Sequence, residues 1–194
     1  MIDTLKCIDK HLFLLLNSLH TTPLDTIMYW ISNEFIWTPF YIFLLYLIYK
    51  KLGKQTLTAA VLIVLMITLS DQLSVHLFKN VFLRYRPCHN INIQNMVHLV
   101  NGYCGGLYGF ISSHAANTFA LSVFLIVVLK GYYTHFSWLI LVWAAIVSYS
   151  RIYLGVHYPA DVFCGALFGT LLGYLIGKLF FIIQKQQSTN HSRQ

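Results

Sequence analysis

The sequence predicts an all-α fold: a polytopic helical membrane bundle of five transmembrane helices, or six, with an N-terminal interfacial helix. Three observations predict it. The 194-residue chain is 57% hydrophobic and only 10% charged, with a mean hydropathy of +0.63, far from the averages of soluble domains. Its apolar residues gather into separate runs near the roughly 20 residues that cross a bilayer. Those runs lack the alternation of barrel strands, and a segment in lipid must satisfy its own backbone, which leaves the helix. Residues 1–194 read as a single integral membrane domain.

The first 33 residues are the exception to the run pattern. The stretch from His11 to His20 is apolar for only about ten residues, too short to cross, and predicts an interfacial helix. Residues 1–24 carry His11, His20 and Pro23 and no small-residue cleavage site, so no signal peptide is expected. Thr21 to Asp25 reads as a turn into a second short helix over 24–33, broken at Asn33 and Glu34. If both pieces lie on the surface there are five spans and an external N-terminus; if they cross together there are six.

Spans are predicted at 35–49, 56–78, 109–129, 137–156 and 160–183. Asp71 lies well inside the second and reads as a hydrogen-bonding partner of a neighbouring helix. That span closes on Lys79 and runs towards Arg86-Pro87. Seven residues is two helical turns, so a continuous helix puts Lys79 and Arg86 within about 20° of one face, and Pro87 stops the helix at Arg86. Residues 88–108 form an external loop, long enough for a lid or a substrate rim. The third span opens on Ser112 and Ser113, good N-cap residues whose following amides bind anions, with His114 in the first turn. Pro159 suits the first position of the fifth helix, so Asp161 falls in its first turn, favoured by the dipole, and His157 precedes it. Gly165, Gly169, Gly173 and Gly177 form a stripe that lets another helix approach closely.

Charge orients the bundle. Lys50, Lys51, Lys54, Lys130, Lys178, Lys185 and Arg193 mark the cytoplasmic ends. Lys79, Arg84, Arg86 and Arg151 then fall on the opposite side, against the charge rule; any one of them alone would serve equally as an anchor for lipid phosphates. The net charge of +7 comes without a basic run or a nucleic-acid motif, so it points to anionic lipid headgroups and away from nucleic acid. Cys88 and Cys104 share the external loop, where an oxidising compartment permits a disulfide and two free thiols are the other arrangement.

This topology joins distant segments. The ends of the second and fourth spans and the starts of the third and fifth meet on one side, which collects Lys79, Arg86, Arg151, Ser112, Ser113, His114, His157 and Asp161. Three fixed cations and helix-start amides make a cradle for a phosphate dianion. Two histidines divide the remaining work, one attacking phosphorus and the other protonating the departing oxygen.

Lys79-x6-Arg86-Pro87, Ser112-x-His114 and Ser150-Arg151-x5-His157-x3-Asp161 resemble, in order and spacing, the three signature motifs of the type 2 phosphatidic acid phosphatase superfamily, and the span pattern resembles its bacterial membrane-bound lipid phosphatases. The resemblance implies hydrolysis of a lipid phosphomonoester or diphosphate: undecaprenyl diphosphate, phosphatidylglycerol phosphate, phosphatidic acid or a lipid A phosphate. It implies His157 as a nucleophile that becomes phosphohistidine, oriented by Asp161; His114 as general acid; and Lys79, Arg86 and Arg151 as phosphate ligands, with hydroxyl and amide donors around Ser112 and Ser113. No metal and no cofactor are implied. The expected place is the cell (inner) membrane, multi-pass, with the site facing the exterior. A lipid-to-lipid phosphotransferase and a non-catalytic headgroup transporter or flippase are the alternatives. One position departs from the pattern: the second motif of the family usually reads Pro-Ser-Gly-His, and here Ile111 and Ser113 replace the proline and the glycine. Serine is compatible with that position where the backbone is helical.

Overall fold

The computed structural model describes residues 2–191; Arg193, expected on the cytoplasmic side, lies outside the described residues. Among these residues there is no β-strand, only an isolated bridge between Tyr85 and Tyr108. The helices are α1 (Ile2–Ser18), α2 (Thr22–Ser32), α3 (Thr38–Leu52), α4 (Thr56–Leu73), the single turn α5 (Asn80–Phe82), α6 (Ser113–Val128), α7 (Phe136–Tyr153) and α8 (Pro159–His191).

Three helical stretches, Glu34–Phe82, Phe136–Tyr153 and Pro159–Gln187, are long and apolar enough to cross a membrane, and Ser113–Val128 is a shorter apolar helix. The first stretch is two passes. Lys50 and Lys51 close α3, where cations favour the dipole, and Gly53 follows at φ 54°, ψ −122°, a backbone that reverses the chain and suits glycine. α3 runs antiparallel to α7: Leu47 near the end of α3 accepts from the Tyr133 hydroxyl, just before α7, at 3.1 Å, whereas Trp37 just before α3 packs on Trp143. Apolar side chains such as Val61, Val64 and Leu65 remain exposed on α4, the surface expected of a helix solvated by lipid.

The helix boundaries differ from the sequence reading at functionally important places. The third span begins at Ser113, not at 109, because Ser112 takes the N-cap and accepts from the Ala115 amide. The second does not run on as one regular helix to Arg86. It loosens into a π-helical segment over Ser74–Lys79, and Leu83 leaves the helix at φ 46°. Arg86 is extended (φ −63°, ψ 156°), as a residue before proline prefers. Lys79 and Arg86 are therefore not brought together by a shared helix face. At the N-terminus α1 is longer than the ten-residue run suggests, and Leu5, Ile8, Leu12 and Leu15 remain exposed along it. Their three- and four-residue steps place them on one side of the helix.

α6 and α8 share the most extensive helix interface, which the glycine stripe explains. A Cβ on Gly165 would meet the backbone of Ser112, one on Gly169 or Gly173 the backbone of Ala116 or Ala120, and one on Gly177 the side chain of Val127. Asp71 accepts from the Asn117 amide at 2.9 Å, so it ties α4 to α6. The apolar core lies below this end of the bundle, with Phe124, Leu125, Met66 and Phe180 fully buried.

Candidate active site

The polar end of the bundle is built around the turn between α7 and α8. Gly155 adopts φ 79°, and a Cβ there would run into the His98 carbonyl and Val97. The reversal lets the amides of Val156 and His157 both donate to the Arg151 carbonyl at 3.2 Å. His157 is thereby fixed over the end of α7, 2% exposed. Pro159 starts α8 directly after it, and Asp161 enters the first turn of that helix with no exposure.

The hydrogen bonds of His157 define its tautomer. Nε2 lies 3.1 Å from Arg86 Nη1; a guanidinium only donates, so Nε2 accepts and the ring proton sits on Nδ1. Nδ1 faces Asp161 Oδ2 at 3.6 Å and the Gly109 backbone. Burial holds the imidazole well below its ordinary pKa, and Arg86, Arg151 and Lys79 push it the same way. The ring is therefore neutral at neutral pH, with its Nε2 lone pair engaged by Arg86.

The cations converge there from three elements. Arg86 comes from the loop after α5 and is itself fixed, with Nη1 donating to the Val156 carbonyl at 3.2 Å. Arg151, from the last turn of α7, donates to the buried Ser32 hydroxyl at the end of α2. Lys79, from the π-helical segment, donates to Ser113 Oγ at 2.8 Å. Arg86 Nε and Arg151 Nε are buried and hydrogen-bond to none of the described residues. Buried donors left in this state are costly.

α6 supplies the remaining groups. Ser112 caps the helix with its hydroxyl, so its side chain is engaged locally, and its amide donates to the Asp161 carbonyl at 3.0 Å. Ser113 stands in helical backbone, where serine carries no strain, and its hydroxyl is shared by Lys79 and by Ser74 Oγ at 2.8 Å. His114 is half-buried and lies near the Ser32 backbone and within electrostatic reach of Arg151 and His157. All eight residues singled out in the sequence thus sit at this end of the bundle, although Ser112 and Ser113 turn their hydroxyls to protein partners. Cys88 and Cys104 are disulfide-bonded, with their Cα atoms 6.0 Å apart, closing the loop that follows Arg86.

The family model of the PAP2 superfamily matches residues 59–185. The chain belongs to this superfamily. The match contains all eight site positions, and similarity to individual proteins extends beyond it. Lipid A 4'-phosphatase of Porphyromonas gingivalis is 37% identical over 174 residues, which cover 89% of this chain and 73% of that protein. Lipid A 4'-phosphatase of Bacteroides thetaiotaomicron is 38% identical over 187 residues, 95% of this chain and 81% of that protein. The crystal structure of Aquifex aeolicus LpxE superposes with a TM-score of 0.62 at 25% identity, covering 87% of this chain and 93% of that one. This PAP2 protein is a membrane lipid phosphatase.

Three site contacts were not anticipated from the sequence. Ser32 holds Arg151, Arg84 holds Asp161 at 2.7 Å, and Asp9 holds Arg84 at 2.5 Å. For Arg84 a signal was present, since it is one of the four basic residues that violate the charge rule. Ser32 and Asp9 stand in the short N-terminal helices and share no local pattern with the motifs they support.

Proposed function

We propose that this lipid phosphatase removes a phosphate from a lipid A phosphate at the exterior face of the inner membrane, through a phosphohistidine on His157. The observation that carries the chemistry is the tautomer: the Nε2 lone pair of His157 is turned to the Arg86 guanidinium while its proton sits on Nδ1 toward Asp161, with Arg151 and Lys79 within electrostatic reach. In the first step Nε2 attacks phosphorus, the bond from phosphorus to the lipid oxygen breaks, and His114 gives its proton to that oxygen. In the second, His114 takes a proton from water, whose oxygen attacks phosphorus, and the P–N bond breaks to release inorganic phosphate. The three cations stabilise charge on the equatorial oxygens in both steps. Asp161 favours the positive charge that His157 acquires when phosphorylated. The names of the two relatives, alike over most of the chain, favour lipid A phosphate over undecaprenyl diphosphate, phosphatidylglycerol phosphate and phosphatidic acid.

The test uses purified protein in detergent with those four lipids, with and without EDTA, following inorganic phosphate and the lipid product by mass spectrometry. Lipid A phosphate is expected to be hydrolysed fastest, with one free phosphate per phosphate lost from the lipid and no effect of the chelator. His157→Ala and His114→Ala are expected to abolish release while the protein remains folded. Turnover by His157→Ala would sink the mechanism. Phosphate recovered on a second lipid instead of in solution would make the protein a phosphotransferase, and binding without turnover a transporter.

A further inference from the structure

We propose that Arg84, held by Asp9 of the N-terminal helix, is a positioning residue for the reaction: it fixes the Asp161 carboxylate behind His157 and makes the docking of α1 a condition for turnover. The proposal rests on His157 being the nucleophile. Each oxygen of Asp161 has its own partner. Oδ2 accepts from the Tyr158 amide at 2.9 Å and faces His157, and Oδ1 accepts from Arg84 Nη1 at 2.7 Å. The other arm of the same guanidinium, Nη2, donates to Asp9 Oδ2 at 2.5 Å, while Asp9 Oδ1 accepts from the Ala160 amide at 2.9 Å. Arg84 also lies over the Tyr158 ring, 4.1 Å from its centroid, and Phe13 of α1 packs on that ring from another side.

One planar guanidinium therefore spans two carboxylates on two helices, a geometry that lysine does not reproduce. Without it, Asp161 keeps only the Tyr158 amide and its carboxylate plane is free to turn away from Nδ1. A misplacement of this order costs up to about 10²-fold in rate. It leaves Lys79, Arg86 and Arg151 untouched, so the loss falls on kcat rather than KM. A pH readout separates this role from a structural one. His157 is faced by Arg86 from the loop, Arg151 from α7, Lys79 from the π-helical segment, His114 from α6 and Asp161 from α8. Arg84→Gln leaves the charge of Asp161 compensated by Arg86 alone, which favours protonated His157 and moves the acid limb of kcat/KM to higher pH. Arg84→Lys keeps the compensation and leaves the limb in place while still lowering kcat.

The experiment measures kcat, KM and the acid limb for Arg84→Gln, Arg84→Lys, Asp9→Asn and the double variant Asp9→Asn/Arg84→Gln, with the exposed Lys6→Ala as control. Expected are kcat losses of about 10- to 100-fold in Arg84→Gln, a smaller loss in Asp9→Asn, no further loss in the double variant, and wild-type values in Lys6→Ala. Asp9→Asn is isosteric and keeps the test open if Arg84→Gln does not fold. Wild-type kcat in Asp9→Asn and Arg84→Lys, losses confined to KM, or additive losses in the double variant would overturn the proposal. His157→Ala run alongside separates the two failures: turnover there refutes the nucleophile assignment, whatever Arg84 does.

Discussion

Gly109→Ala isolates how tightly the Nδ1 side of His157 is packed. A Cβ added at Gly109 would stand 3.0 Å from Arg86 Cγ, 3.3 Å from Asp161 Oδ2 and 3.4 Å from His157 Nδ1. Carbon atoms prefer about 3.5–4.0 Å, so Arg86 has to withdraw by roughly half an ångström, and it is pinned by its bonds to Val156 and His157. Inserting one methyl into a packed site costs about 1–3 kcal/mol, against which the stiffer unfolded chain returns about 0.4–1 kcal/mol. A net loss of about 1 kcal/mol, or a few degrees in Tm, is expected. The larger effect is on turnover, because the atoms met belong to the proposed nucleophile, its carboxylate and a proposed phosphate ligand; about a tenfold fall in kcat follows from a shift of half the distance that costs 10²-fold. Gly106→Ala is the matched control. It lies in the same loop with nothing within 4 Å of the added methyl, so it is expected to keep wild-type kcat and to gain slightly in stability. Phosphate release and thermal unfolding of both variants decide the matter. Wild-type kcat in Gly109→Ala would refute the claim that these three groups form a close-packed unit.

Other consequences follow from the same geometry. Because burial first, and then Arg86, Arg151 and Lys79, depress the pKa of His157, the acid limb of kcat/KM that His157 sets should lie below the ordinary imidazole value of about 6.5; an acid limb above 6.5 contradicts this. Stability has the same sign: below about 6.5 the unfolded chain binds a proton that the folded one refuses, so Tm should drop as the pH falls. Reducing the Cys88–Cys104 bridge opens a loop with a sequence separation of 16 and is expected to cost about 3 kcal/mol in the chain-entropy model, read as a lower Tm with reductant and no such shift in Cys88→Ser/Cys104→Ser. Gly169→Leu puts a side chain where the Ala116 backbone lies, and overpacking against main chain is expected to exceed about 3 kcal/mol, seen as loss of folded protein in detergent; a folded, active variant would show that α6 and α8 separate freely.

The residues that were legible in the sequence share a physical reason. Pro159, Asp161 and Ser112 act within one helical turn of where they stand, through φ restriction, the helix dipole and N-capping, so local pattern finds them. The glycine stripe and Asp71 needed only the knowledge that the chain is a bundle. Lys79 and Arg86 were brought together for the wrong reason. In place of a regular helix between them stand a π-helical segment and a left-handed residue at Leu83, and the Arg86 amide pairs with the Leu107 carbonyl. Side-chain partners separated by long stretches of sequence left no pattern: Asp9 with Arg84, and Ser32 with Arg151.

Ser113 joins these two levels. The resemblance puts glycine there, and the local question is only whether a side chain fits; the helical backbone answers it. What the added hydroxyl does is a matter of packing, since it falls between Ser74 and Lys79 and accepts from the lysine that approaches the cradle along the loosened end of α4. The π-helical segment and the serine therefore compensate one another: the first sets where the Lys79 side chain leaves the helix, and the second holds its ammonium group. Replacing Ser113 by glycine removes that acceptor while restoring the family pattern, so a weaker hold on substrate, seen as a raised KM with kcat kept, is the outcome this coupling requires.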